Sequence, residues 1–136
     1  MARKPEAYVD TSALIALVDR SDTYHALFRQ LFAAPPKLAT TSLVIAEGHA
    51  WFLKRYDRYR AMQFMAMIED MTPLSVFSVG PAEITGATVI MRKYKDQDLT
   101  LADAAGLLHM VSHKLRRCWS TDFHLGLGGA ELVINQ

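Results

Sequence analysis

The sequence predicts an α/β fold, a mostly parallel sheet of four to five strands with helices on both faces. Three observations lead there. Short stretches rich in β-preferring residues alternate with longer stretches of helical periodicity almost throughout the chain. The segments between strands are long enough to hold helices, as the crossovers of parallel strands require. Finally, 136 residues with 51% hydrophobic side chains can build one buried core. A single domain over residues 1–136 is therefore expected.

The elements follow in order. "EAYVD" is a short buried strand ending at Asp10, and "TSALIALVD" then places Leu14, Leu17 and Val18 at helical spacing. Ser21 and Asp22 are candidate N-caps for a second helix, "TYHALFRQLFAA". Its Leu27, Phe28, Leu31 and Phe32 share one face before Pro35-Pro36 stops it. "KLATTS" is the second strand. From Ser42 the pattern turns helical in "LVIAEGHAWFLKRY", where Gly48 is a weak point rather than a break. "RAMQFMAMIEDM" continues as helix up to the boundary at Pro73, and "LSVFSV" is the third strand. Pro81 suits the first turn of "AEITGATVIMRKYK". Thr100 caps "LADAAGLLHMVSHKL", after which "RCWSTD" is a fourth strand and "AELVI" a short fifth.

Composition excludes several classes. Fifteen Lys and Arg against fourteen Asp and Glu leave a formal charge of +1, so no global field marks a nucleic-acid or membrane binder, and any electrostatic argument is local. No apolar run approaches the roughly 18–20 residues of a membrane-spanning helix. The single cysteine, Cys118, allows no internal disulfide, and "MARKPEAYVDTS" lacks the apolar core of a secretory signal. A cytoplasmic protein is expected.

Four acids fall where such a fold gathers chemistry. Open parallel sheets bind ligands beyond the carboxyl ends of their strands. Asp10 ends the first strand and Asp122 the fourth. Glu47 lies a little over one turn into the helix after the second strand, behind the apolar Val44, Ile45 and Ala46, and Asp103 lies in the first turn of its own helix. Two carboxylates about 4 Å apart repel by roughly 4 kcal/mol at an effective dielectric near 20, so such a group needs a cation or protons. Oxygen ligands without a thiol cluster favour Mg²⁺ or Mn²⁺, which activate water and offset charge on a phosphodiester.

The segments "YVDTSALIALVD", "TSLVIAEGHAW", "DLTLADA" and "STDFH" together resemble the motifs of PIN-domain ribonucleases, especially VapC-type toxins, across residues 8–124. The resemblance implies a PIN-like three-layer α/β/α sandwich and a Mg²⁺-dependent endoribonuclease, with Mn²⁺ as substitute ion. It implies Asp10, Glu47, Asp103 and Asp122 as the catalytic, metal-holding acids, supported by Ser12 and Thr121. It also implies an RNA substrate, a homodimer, and a small antitoxin whose inserted segment blocks the site.

Each residue also has a plainer explanation. Asp103 completes T-x-x-D with Thr100, a capping box, and Asp10 could cap the helix beginning at Thr11. Asp98 reads as a solvated loop acid. His109 and His113 are spaced i, i+4 but lack the Glu of H-E-x-x-H, so they read as ordinary helix residues. The basic groups Lys54-Arg55-Arg58-Arg60, Arg92-Lys93-Lys95 and Lys114-Arg116-Arg117 read as solvated faces, and Met62, Met65, Met67 and Met71 as core or subunit interface. Two rival functions remain. A phosphorelay receiver would close its first strand with an acidic pair and its last with lysine, whereas here Val9 precedes a lone Asp10 and Ser120-Thr121 occupy the later strand end. A non-catalytic PIN-like module for RNA or partner binding would not need all four acids.

Overall fold

The computed structural model describes residues 4–135. Strand β1 (Ala7–Val9) is buried along its whole length and leads through Asp10 into helix α1 (Thr11–Val18). Helix α2 (His25–Leu31), strand β2 (Leu38–Thr41), helix α3 (Ser42–Arg55) and helix α4 (Arg58–Asp70) follow. Next come β3 (Leu74–Phe77), α5 (Pro81–Lys93), α6 (Leu101–Ser112), β4 (Arg117–Trp119) and β5 (Glu131–Leu132). Two 3-10 turns, Phe123–Gly126 and Val133–Asn135, flank β5.

All five strands are parallel, in the order β3-β2-β1-β4-β5, with helices packed around the sheet as an α/β/α sandwich. The chain winds from β1 outward to β3, then returns to place β4 on the other side of β1. Strand order thus reverses between β1 and β4, the kind of switch point at which the loops leaving the carboxyl ends of an open parallel sheet part to leave a crevice. The backbone N–H of Asp10 still reaches the Trp119 carbonyl at 3.0 Å, which pins the two strand ends side by side at the mouth of that crevice. The core beneath contains Tyr8, Leu14, Phe28, Leu38, Phe52, Phe64 and Leu125, all fully buried.

Several elements differ from the sequence expectation, among them the fourth strand, which ends at Trp119 and leaves Asp122 in the turn beyond it. The second helix begins at His25 rather than near Asp22, because the Asp22 carboxylate accepts the Tyr24 backbone N–H at 2.8 Å and its carbonyl accepts the His25 N–H, holding a turn ahead of the helix. The stretch after Ser42 is two helices rather than one, because Asp57 leaves helical geometry and its carboxylate caps α4 through the Arg60 N–H at 2.9 Å. The third strand ends at Phe77 rather than Val79 and lies at the sheet edge, with Val76 and Phe77 substantially exposed. The break at Asp57 lets α4 fold back on α3. Gly48 makes the close approach possible, since a Cβ there would sit 2.4 Å from the Phe64 ring.

Candidate active site

The crevice at the β1–β4 switch collects side chains from four stretches of the sequence. Asp10, the N-cap of α1, is 4% exposed, and its Oδ2 accepts hydrogen bonds from Ser12 Oγ at 2.7 Å and Ser120 Oγ at 3.0 Å. Burial pushes the Asp10 carboxyl above its ordinary range, against the pull of the Ser12 hydrogen bond, and the Asp103 charge pushes it further.

Glu47 is set by α3, whose first turn follows β2 directly, and its Oε1 accepts the hydroxyl of Thr11. Burial raises this carboxyl too. The charges of Asp10, Asp103 and Asp122 all push the same way, so Glu47 faces the other three acids together.

Asp103 combines both roles raised by its sequence. Its backbone N–H donates to Thr100 Oγ1 at 3.0 Å, and its Oδ2 accepts the Thr100 N–H at 3.2 Å, a complete capping box. The same box fixes the carboxylate at the crevice. There burial, and next Asp122, raise its carboxyl against the Thr100 hydrogen bonds.

Asp122 caps the 3-10 turn after β4 by accepting the His124 N–H at 3.0 Å. This turn folds the His124 ring back over the acids: Nδ1 lies 3.0 Å from Asp122 Oδ1 and 4.0 Å from Asp103 Oδ2. Donor atoms of Asp103, Asp122 and His124 all lie within 4.8 Å of one another. Two carboxylate charges at that separation repel by about 3.5 kcal/mol at an effective dielectric near 20. A divalent cation is what this donor set suits, since it would turn mutual repulsion into ligation and favour the ionised carboxylates that burial disfavours.

The expected supporting hydroxyls divide. Ser12 Oγ donates to Asp10 and accepts the Thr121 backbone N–H at 2.9 Å. Thr121 enters through that N–H, and the hydroxyl from this segment that reaches Asp10 belongs to Ser120. Ser120 is fully buried, its Oγ also accepting the Asp122 N–H at 2.9 Å. Side-chain alternation at the end of a strand decides which of two adjacent hydroxyls points inward, and the sequence carries no mark of that choice. His124 was likewise not among the expected site residues, although it stands two residues after Asp122, a spacing that one tight turn can close.

Other candidates lie elsewhere. The rings of His109 and His113 stack at 4.0 Å and pack on Phe77. Burial, with His113 beside it, pushes His109 down to about 4, so it stays neutral near pH 7 as packing material. Arg55 and Arg60 lie at the α3–α4 junction, each over the Tyr56 ring. Among the described residues no helix is long and apolar enough to cross a membrane.

A family model described as PIN domain matches residues 7–125. No protein with a curated description matches the sequence. Among solved structures, VapC20 of Mycobacterium tuberculosis, described as a sarcin-ricin loop cleaving toxin, is similar with a TM-score of 0.85 at 21% identity. The match covers 93% of this chain and 98% of that one. PAE2754 of Pyrobaculum aerophilum is similar at 25% identity and a TM-score of 0.67, over 99% of this chain and 94% of that one. A toxin–antitoxin complex from Klebsiella pneumoniae contains a chain similar at 21% identity and a TM-score of 0.62, over 93% of this chain and 95% of its own.

Proposed function

The chain belongs to the PIN domain family, and from that premise we propose that it is a divalent-metal-dependent endoribonuclease, the toxin of a toxin–antitoxin pair. The observation that carries this reading is the convergence of Asp10, Glu47 and Asp103, each driven toward its protonated form by burial, with Asp122 at the same crevice. A fold maintains such a costly group of acids when something positively charged occupies it during work.

In this reading Asp10 and Asp103 are the principal ligands of Mg²⁺, or of Mn²⁺ in its place, and Glu47 and Asp122 complete the pocket directly or through water. A bound divalent cation supplies charge compensation for a phosphodiester and lowers the pKa of an attacking water. The protein's own groups supply the rest. Ser12 and Ser120 fix Asp10 Oδ2, the capping box fixes Asp103, and Thr11 fixes Glu47, so the carboxylates are aimed before substrate arrives. Thr121 contributes its N–H to the position of Ser12.

The same reading includes an RNA substrate, a homodimer, one domain spanning residues 1–136, a cytoplasmic setting and a small antitoxin whose inserted segment blocks the crevice. VapC20 is described as a toxin that cleaves the sarcin-ricin loop, and the Klebsiella chain was solved in a toxin–antitoxin complex. Both descriptions support the class. The test is to express the chain and its Asp10→Asn variant in cells and sequence RNA 5′ ends. New, discrete ends with the wild type alone support the reading, and identical end profiles from the two proteins overturn it.

A further inference from the structure

Resting on that reading, we propose that His124 is a nitrogen ligand of the divalent ion, so that this site prefers Mn²⁺ and its later transition-metal neighbours over Mg²⁺. The position of the ring carries the argument. The Asp122 cap closes a turn that brings His124 Nδ1 to 3.0 Å from Asp122 Oδ1 and 4.0 Å from Asp103 Oδ2. Octahedral bonds of about 2.1 Å put neighbouring ligand atoms about 3.0 Å apart and opposite ones about 4.2 Å apart. The nitrogen's separations from the two carboxylate oxygens lie close to those values, and the donor atoms of all three residues fall within 4.8 Å of one another, so side-chain adjustment alone can bring all three groups onto one ion.

The surroundings favour ligation over a solvated surface role. The His124 side chain is 19% exposed, and its ring lies against the outward-facing Phe123 with centroids 4.3 Å apart. That contact limits the ring's swing away from the acids. Mg²⁺ takes oxygen ligands and parts reluctantly with its waters, whereas an imidazole donor suits the transition ions, with affinity rising from Mn²⁺ through Co²⁺ and Ni²⁺. An all-carboxylate pocket would discriminate weakly between Mg²⁺ and Mn²⁺. Adding one nitrogen tilts the balance.

The experiment is pulsed electron paramagnetic resonance on the full-length protein loaded with Mn²⁺ at neutral pH, alongside binding titrations of Mn²⁺ and Mg²⁺. Wild type is expected to show nitrogen coupling to the ion, and His124→Asn to lose it while still binding Mn²⁺. The variant should also bind Mn²⁺ about tenfold or more weakly, as loss of a partner in a metal site commonly costs, with a smaller change for Mg²⁺. Bound Mn²⁺ without nitrogen coupling, or coupling that survives in the variant, overturns the assignment and leaves the nuclease reading standing. Failure of the wild type to bind any divalent ion at millimolar concentration overturns both. Should the variant fold poorly, the wild-type spectrum still tests the assignment, because bound Mn²⁺ without nitrogen coupling overturns it.

Discussion

Replacing Asp103 with asparagine separates the structural and electrostatic halves of the site. The backbone N–H of residue 103 still reaches Thr100 Oγ1, and an asparagine side-chain oxygen can still accept the Thr100 N–H that Asp103 Oδ2 now takes at 3.2 Å. The capping box therefore survives. What disappears is a charge with a donor oxygen no more than 4.8 Å from one on Asp122. At an effective dielectric near 20 that pair alone costs about 3.5 kcal/mol. The Asp122 side chain is 32% exposed, and His124 stands 4.0 Å from Asp103, so solvent and a partial counter-charge remove much of this. Loss of a favourable charge at the α6 N-terminus takes back roughly 0.5 kcal/mol more. A net gain of about 1–2 kcal/mol without metal follows, a rise of roughly 4–7 °C in Tm for a domain of this size. The assay is thermal melting of both proteins at pH 7, in EDTA and in Mn²⁺. Wild type should gain about 2.7 kcal/mol at a free ion concentration one hundred times its Kd, and the variant much less, so the order of stability reverses. A variant that melts below wild type in EDTA while responding equally to Mn²⁺ would refute the reasoning.

The pH dependence of the metal-free protein follows from the same crowding. Asp10, Glu47 and Asp103 have folded pKa values raised above their unfolded values of 3.8, 4.5 and 3.8. Their contribution to stability is fully present below those unfolded values and is lost as pH rises through the folded ones. In EDTA, Tm should fall as pH rises above the unfolded values of 3.8–4.5 and through the raised folded ones, and saturating Mn²⁺ should abolish the fall, whereas a Tm that rises with pH there without regard to metal contradicts the account. Ser120→Ala strips Asp10 of a donor and leaves the Asp122 N–H without its acceptor, a cost of about 1–3 kcal/mol in chemical denaturation accompanied by lost cleavage. Thr121→Ala, which keeps its backbone N–H, should stay within about 0.5 kcal/mol, and equal losses from the two would show that the inward hydroxyl is misassigned. Gly48→Ala drives a methyl group into the fully buried Phe64 ring, and overpacking of about 1–3 kcal/mol should outweigh the roughly 1 kcal/mol gained in helix propensity. An unchanged Tm would mean that α3 and α4 can separate freely.

Much of the fold was legible because the strong local signals agreed. A buried apolar triplet followed by Asp-Thr-Ser marks β1 and the cap of α1, and T-x-x-D marks the start of α6. The alternation of strands and helices then dictates parallel pairing, and parallel pairing brings the strand ends together. What stayed hidden depends on single side chains acting against the pattern. Asp57 splits a continuous helical periodicity because its carboxylate offers the backbone a cap, and Asp22 delays α2 by holding a turn. At the site, apolar neighbours and spacing could single out the acids, but neither could say that Ser120 rather than Thr121 turns its hydroxyl inward, nor that a 3-10 turn lays His124 across Asp122. Those facts arise from strand alternation and turn geometry, which only the assembled sheet determines.

The central claim is that these carboxylates hold a divalent ion with which the protein cuts RNA. The most direct test incubates purified wild type and Asp10→Asn with a panel of structured RNAs in Mg²⁺, in Mn²⁺ and in EDTA. The account predicts discrete cleavage by the wild type in either ion, none in EDTA and none by the variant. Cleavage that persists in EDTA, or that Asp10→Asn performs as well as the wild type, would contradict it.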